Sequence, residues 1–204
     1  MPPALWLAQE PLVLASRSKV RQMLLTAAGV RVELCPADLD ERGLEAQADL
    51  QSAGAVAGLL AREKAMAAAK RRPGRLTLGA DQTLALGAER FAKPADRNTA
   101  REQLRALRGR GHELHSAIAF VQDGKALYEH VGVARMTMRP FSDRFLEAYL
   151  DTLGHDVTTT VGVYQIEGLG VQLFDLIEGD YFTILGLPLT QALDFLRRRG
   201  CLAQ

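Results

Sequence analysis

The stretch LVLASRS at residues 12–18 decides how this chain begins to fold. Its first three residues form a short apolar run that predicts a buried strand, and the run breaks at Ala15. Beyond Ser18 the apolar period becomes helical, Ser18 is a natural N-cap, and Gly29 stands just past the predicted end of the helix. A strand that turns directly into a helix indicates an α/β protein.

The same alternation of strand and helix patterns continues along the rest of the chain. Helical patterns are found in four further places: 52–70, 98–108, 142–154 and 188–200. Apolar alternation predicts strands at 76–80, at 114–120 and in a segment that ends near Arg139. We therefore expect a single domain, residues 1–204, in which helices flank a mixed central β-sheet.

The composition excludes several classes of protein. An apolar content of 48% and a charged content of 24% are those of an ordinary globular chain. A net charge of +1 without a basic stripe argues against a nucleic-acid partner, and no window approaches the roughly 18 apolar residues of a membrane span. Cys35 and Cys201 have no metal-ligand spacing and no export signal precedes them, so we expect reduced thiols in a cytoplasmic protein.

The turn between the first strand and the first helix is a candidate phosphate site. Free backbone N–H groups and the positive end of the helix dipole attract anions at such a turn. The hydroxyls of Ser16 and Ser18, with Arg21 one turn further on, would complete the cradle. The alternative is that Ser18 is a plain N-cap serine. The chain contains no Walker A motif, which excludes a P-loop mechanism.

Two further charged residues stand at informative places. Lys64 lies on the apolar side of its predicted helix, where it either snorkels to the edge or faces a lined cleft. Asp81 ends a predicted apolar strand, and α/β proteins place ligands at the ends of strands. A carboxylate there can bind Mg²⁺ or accept a proton from water, although a turn aspartate is an equal alternative.

Other ionisable residues carry weaker signals. Lys93 precedes a proline on a predicted loop, and Glu167 lies in a glycine-rich stretch. His112 and His115 are three residues apart on a predicted strand, which puts them on opposite faces and favours structural roles over joint metal binding. Composition and spacing alone lead no further than a possible phosphate-handling α/β enzyme.

An ordered series of motifs resembles the Maf nucleotide pyrophosphatases and covers about residues 12–190. The motifs are LVLASRS at 12–18 with Arg21, AREKA at 61–65, GADQ at 79–82, Lys93-Pro94, LRGR at 107–110 with His112, GVYQIEG at 162–168, IEGDY at 177–181 and GLPL at 186–189. Each motif is weak alone, but the order of the series is specific.

The resemblance implies a fold like that of the Maf and inosine triphosphatase-like proteins, with two lobes around a deep cleft, in a homodimer. It also implies hydrolysis of a nucleoside triphosphate to the monophosphate and pyrophosphate with Mg²⁺ or Mn²⁺. Asp81 would accept the proton of the attacking water and bind the metal, with Asp40 or Glu41 as a second metal ligand. Four residues would hold the phosphates: Ser16, Arg21, Lys64 and Lys93.

Three positions depart from the pattern of many family members. Val20 stands where an arginine is common, Gln82 where a threonine is common, and Glu167 where a glutamine is common. These departures resemble the subgroup that hydrolyses 7-methyl-GTP rather than dTTP and UTP. N7-methylation makes guanine cationic, and a nearby Glu would favour that ring. Val20 has a simpler alternative, which is packing on the apolar face of its helix.

Three other functions remain as alternatives. The chain could be a pyrophosphatase of the dTTP/UTP type, or a general nucleotide phosphatase that releases orthophosphate. Because the family is associated with inhibition of septum formation, the chain could also act through a protein partner in cell division. Each alternative predicts a different product, substrate preference or dependence on catalysis.

Overall fold

The computed structural model describes residues 5–48 and 52–204. Within those residues, a seven-stranded sheet carries helices on both faces. The strands are β1 (Leu12–Leu14), β2 (Val32–Leu34), β3 (Thr77–Leu86), β4 (Glu89–Phe91), β5 (Gly111–Gln122), β6 (Lys125–Met138) and β7 (Phe174–Glu178). The helices are α1 (Lys19–Ala27), α2 (Glu41–Ala48), α3 (Ala53–Arg71), α4 (Arg97–Leu107), α5 (Asp143–Leu153), α6 (Tyr181–Ile184) and α7 (Leu189–Arg198).

The sheet is mixed, and its strand order is β2-β1-β3-β5-β6-β7, with β4 paired to β3. Strand β1 runs parallel to both β2 and β3, whereas β3, β5, β6 and β7 pair antiparallel. The predicted mixed α/β fold is therefore confirmed. The sequence patterns located α1, α3, α4, α5 and α7 but missed β2, β4, β7 and the short helices α2 and α6.

Strand β3 runs through two separate hydrophobic cores. Leu78 and Ala80 belong to a core that β1, α1 and α7 also form. Leu84 and Leu86 belong to a second core, with α4 and α5. Gln82 lies between them on the same face of the strand, whereas the buried side chains of Asp81 and Thr83 point to the opposite face.

Helix α3 lies unusually close to β3 because both elements carry small side chains at their contact. Ala57, Ala61 and Ala65 of α3 are fully buried in a cluster that also contains alanines of β5. Opposite them is Gly79, where an added Cβ would lie 2.0 Å from the carbonyl oxygen of Ala61. The absence of a side chain at Gly79 therefore sets the distance between the backbones of α3 and β3.

The two histidines of β5 point to opposite faces of the sheet, as their spacing predicts. His112 is buried, and its Nε2 lies 2.8 Å from the hydroxyl of Tyr164. His115 is partly buried, and its Nε2 lies 3.0 Å from a carboxylate oxygen of Glu113. Burial lowers the pKa of His112 to about 4, so this imidazole is neutral at physiological pH.

Both cysteines are free thiols, as expected, with Cys35 buried and Cys201 half-buried. Among the helices of the described part of the chain, none has the length and apolar character needed to cross a membrane.

Candidate active site

Two serine hydroxyls accept backbone hydrogen bonds at the N-terminus of α1. Ser18 Oγ accepts a hydrogen bond from the backbone N–H of Arg21 at 3.3 Å, so Ser18 is the N-cap of α1. Ser16 Oγ accepts one from the N–H of Ser18 at 3.2 Å. Within the described residues, the N–H groups of Lys19 and Val20 have no protein acceptor. The turn therefore presents free donors at the positive end of a helix.

Arg21 ties this turn to the rest of the site. Its Nε donates to the carbonyl oxygen of Gly186 at 2.8 Å, and its Nη1 donates to the carbonyl of Ala80 at 2.8 Å and to Ser16 Oγ at 3.3 Å. Burial lowers the pKa of Arg21, while Asp81 opposes that shift. Its Nη2 is left without an acceptor among the described residues, so the guanidinium is held in place with one group still free.

Lys64 and two carboxylates form the charged centre of the site. Lys64 Nζ lies 2.6 Å from Asp81 Oδ1 and 2.9 Å from Glu41 Oε1. The lysine side chain is 14% exposed, so it does not snorkel to the surface but faces Asp81. Burial raises the pKa of Asp81, and the charges of Lys64 and Arg21 oppose that rise.

Asp81 does not end its strand, and this expectation from the sequence is wrong. Strand β3 continues to Leu86, and Asp81 lies in its middle, opposite Ala117 of β5. The parallel neighbour β1 ends earlier: its last residue, Leu14, pairs with Leu78, three residues before Asp81 on β3. Asp81 therefore stands beyond the carboxyl end of β1, beside the turn that leads into α1. The alternative of a turn aspartate is wrong for the same reason.

Gln82 has the next position on β3, so its side chain points to the opposite face from Asp81. Its Nε2 lies 3.0 Å from Ser116 Oγ, 3.2 Å from the Thr183 carbonyl oxygen and 3.0 Å from that of Ile184. Three acceptors fix the orientation of this amide, which leaves Oε1 as its unbound end. Val20 is half-buried and packs against the core around α1, as its simpler interpretation predicts.

Three of the predicted residues are not drawn into this cluster. Lys93 and Glu167 are exposed, and neither forms a hydrogen bond or an ion pair with a described residue. Asp40 caps α2 instead, because its Oδ1 accepts from the N–H of Gly43 at 3.0 Å. Of the two acidic candidates at the start of α2, Glu41 alone reaches Lys64.

Sequence reasoning missed the residues that hold Gln82. Ser116 is fully buried, and its Oγ donates to the carbonyl of Thr183 at 2.7 Å. A serine at an apolar position of an alternating strand is the signal that could have revealed it. Thr183 in the short helix α6 gave no such signal, since its role depends on its backbone.

The described residues hold no group of three or more His, Cys, Asp or Glu side chains that could by itself bind a metal ion. The two predicted ligands, Asp81 and Glu41, meet at Lys64, and each uses one carboxylate oxygen there. The second carboxylate oxygen of each residue remains available as a metal ligand. Two carboxylates are a donor set that suits Mg²⁺ when phosphate oxygens complete the coordination.

In this α/β protein, a helix N-terminus with free donors therefore lies beside a buried carboxylate, a lysine and an arginine. Residues 11–199 match the family of Maf-like proteins, and this chain belongs to that family.

Several relatives align over nearly the whole chain. A "Nucleoside triphosphate pyrophosphatase" of Rhodopseudomonas palustris is 57% identical over 199 residues, which cover 98% of each protein. A protein of the same name from Bradyrhizobium diazoefficiens is 54% identical and covers 98% of each. A "7-methyl-GTP pyrophosphatase" of Mesorhizobium japonicum is 52% identical over 197 residues, which cover 95% of this chain and 98% of the relative.

Proposed function

We propose that this chain is a nucleoside triphosphate pyrophosphatase that prefers a modified purine such as 7-methyl-GTP. The observation that carries the proposal is the placement of Asp81 against Lys64, next to Arg21 and the N-terminus of α1. The names of the relatives support the activity, and the relative from Mesorhizobium japonicum supports the substrate.

The α1 turn and its neighbours bind the phosphates in this proposal. A triphosphate carries about four negative charges at neutral pH, so several donors and cations must meet it. The free N–H groups of Lys19 and Val20, the free Nη2 of Arg21 and the ammonium of Lys64 supply them. Lys93 is the additional cation in this proposal, and it follows two residues after the end of β4, the strand that pairs with β3.

Asp81 is the proton acceptor for the attacking water. The water oxygen attacks the α-phosphorus, its proton passes to the Asp81 carboxylate, and the bond from the α-phosphorus to the bridging oxygen breaks. Pyrophosphate leaves with the electron pair of that bond. A carboxylate whose pKa burial has raised is a stronger base than an exposed one, which fits this role.

A divalent metal, Mg²⁺ or Mn²⁺, would be held by the remaining oxygens of Asp81 and Glu41. Such an ion offsets the negative charge of the phosphates. The four charged groups Arg21, Lys64, Asp81 and Glu41 sum to a formal charge of zero, so the cluster needs further positive charge to bind a polyanion. We expect chelation of the metal to stop turnover.

Base preference is assigned to Val20, Gln82 and Glu167. We expect the ratio of kcat/KM for 7-methyl-GTP over GTP to fall up to about fivefold in Glu167→Gln, because one exposed charge interaction is worth up to about 1 kcal/mol. The measurement is pyrophosphate release from a panel that also contains dTTP and UTP. Glu102→Gln, on the exposed side of α4, is the matched control.

The panel also separates the alternatives. Preference for dTTP and UTP would reject the modified-purine proposal, and orthophosphate as the first product would reject the pyrophosphatase mechanism. A protein partner in septum formation would be the better account if an inactive variant still blocked division.

We also propose that the enzyme acts as a homodimer in the cytoplasm. Val131 and Val133 of β6 are 38% and 40% exposed, and Leu176 of the neighbouring β7 is 51% exposed on the same face. A row of exposed apolar side chains of this kind is common where two subunits meet. Light scattering at micromolar concentration should give twice the mass of the chain, and the mass of one chain would reject the dimer.

A further inference from the structure

Four residues before Glu167, the backbone of one valine is held in a conformation that valine disfavours. Gly162 and Val163 both have positive φ, +71° and +63°. A β-branched residue in the left-handed region is a steric outlier that persists only when its surroundings impose it. Val163 is also fully buried, so the surroundings that impose it are protein groups.

Two tyrosine hydroxyls and a histidine are these groups. Tyr149 of α5 donates its hydroxyl to the carbonyl oxygen of Val163 at 2.9 Å. The hydroxyl of Tyr164 lies 2.8 Å from Nε2 of His112 on β5. All three side chains are at most 6% exposed. Burial raises the pKa of both phenols and keeps His112 neutral, so these bonds persist at neutral pH.

The same segment is braced on its other sides. A Cβ on Gly162 would lie 2.6 Å from Cδ1 of Leu84, which stands two residues beyond Gln82 on β3. After Val163, the N–H of Gly168 donates to the carbonyl of Gln165 at 3.1 Å. A Cβ on Gly170 would lie 2.5 Å from that same carbonyl oxygen. The turn that carries Glu167 therefore follows a segment that packs closely against Leu84, on the same strand as Gln82.

We infer that Tyr149, Tyr164 and His112 are positioning residues that fix the turn carrying Glu167 relative to Gln82, and thereby set selectivity for the base of the nucleotide. None of the three reaches the substrate, since Tyr149 and Tyr164 belong to the core formed with α4 and α5 and the buried His112 packs against Tyr164. The inference rests on the proposed role of Glu167. It adds a reason why an exposed carboxylate can discriminate between bases: the segment that leads to it is anchored in the core through Val163 and Tyr164.

The test replaces one oxygen at a time and keeps the aromatic rings. Tyr149→Phe and Tyr164→Phe should each lower the ratio of kcat/KM for 7-methyl-GTP over GTP about two- to fivefold, within the effect of one lost hydrogen bond and no more than Glu167→Gln itself. The change should appear in KM, with kcat for GTP unchanged. Tyr128→Phe is the matched control, because Tyr128 packs on Phe195 in the other core and should keep the parental ratio.

A purely structural role would lower the melting temperature of both tyrosine variants without moving the ratio, and that result would overturn the inference. In a Glu167→Gln background, Tyr149→Phe should cause no further change in selectivity. If Glu167→Gln alone leaves the ratio unchanged, the proposed role of Glu167 is wrong. If it moves the ratio and both tyrosine variants do not, the positioning role is wrong.

Discussion

Asp81→Asn is expected to fold like the parent protein and to lose turnover by roughly 10²–10⁴-fold, the range for removal of a general base. Asparagine keeps the shape of the side chain and can still accept a hydrogen bond from Lys64 through its amide oxygen. It cannot accept the proton of the attacking water. Pyrophosphate release at saturating substrate, followed alongside thermal unfolding, measures both parts of this expectation.

The control for this variant is Asp194→Asn on the exposed side of α7, where Asp194 pairs with Arg198. That change should leave turnover within twofold of the parent, because a surface ion pair contributes little to stability. Release of pyrophosphate at the parental rate by Asp81→Asn would show that Asp81 is not the base. Glu41, the other carboxylate on Lys64, would then be the candidate base.

Lys64→Met should lower kcat/KM roughly 10²–10³-fold, since one preorganised charge that stabilises the leaving group is removed. It should also move the pH profile in a defined direction. Burial raises the pKa of Asp81, and Lys64 opposes that rise. Without the ammonium, the carboxylate takes up its proton at higher pH, so the acid limb of kcat/KM shifts upward. Methionine fills a similar volume, which limits damage to packing.

Lys70→Met is the matched control because Lys70 is an exposed lysine of the same helix. It should change neither the rate nor the pH profile. An unmoved acid limb in Lys64→Met would contradict the coupling between Lys64 and Asp81, even if the rate fell. A fall in rate with an upward shift of that limb is the combined signature that a lost phosphate contact alone would not produce.

The regular elements around the site could be predicted because their sequences carry local signals. Ser18 and Gly29 bracket α1, and the small-residue face of α3 agrees with its burial. Polar residues at 81–83 conceal the continuation of β3, so the strand seemed to end at Asp81. The physical cause is the pairing of β3 with the longer strand β5, and a single strand's pattern does not reveal its partner's length.

Long-range contacts account for most of what the sequence could not predict at the site. Arg21 was expected to face the substrate, yet the carbonyls of Ala80 and Gly186 take up two of its groups. Those acceptors lie 59 and 165 residues away along the chain. Backbone carbonyls have no side-chain signature, so no residue pattern could identify them. The exposed positions of Lys93 and Glu167 likewise depend on where two loops come to lie.

The bare backbone at Gly79 has a consequence for the chemistry two residues further along. The distance from Lys64 to Asp81 depends on how closely the backbone of α3 approaches the backbone of β3. A single methyl group at Gly79 would push this helix and strand apart. Gly79→Ala would therefore change the spacing between α3 and β3. Every ionisable group would remain, but the ammonium of Lys64 would move away from the carboxylate of Asp81. Residues with no reactive atoms of their own hold this pair together.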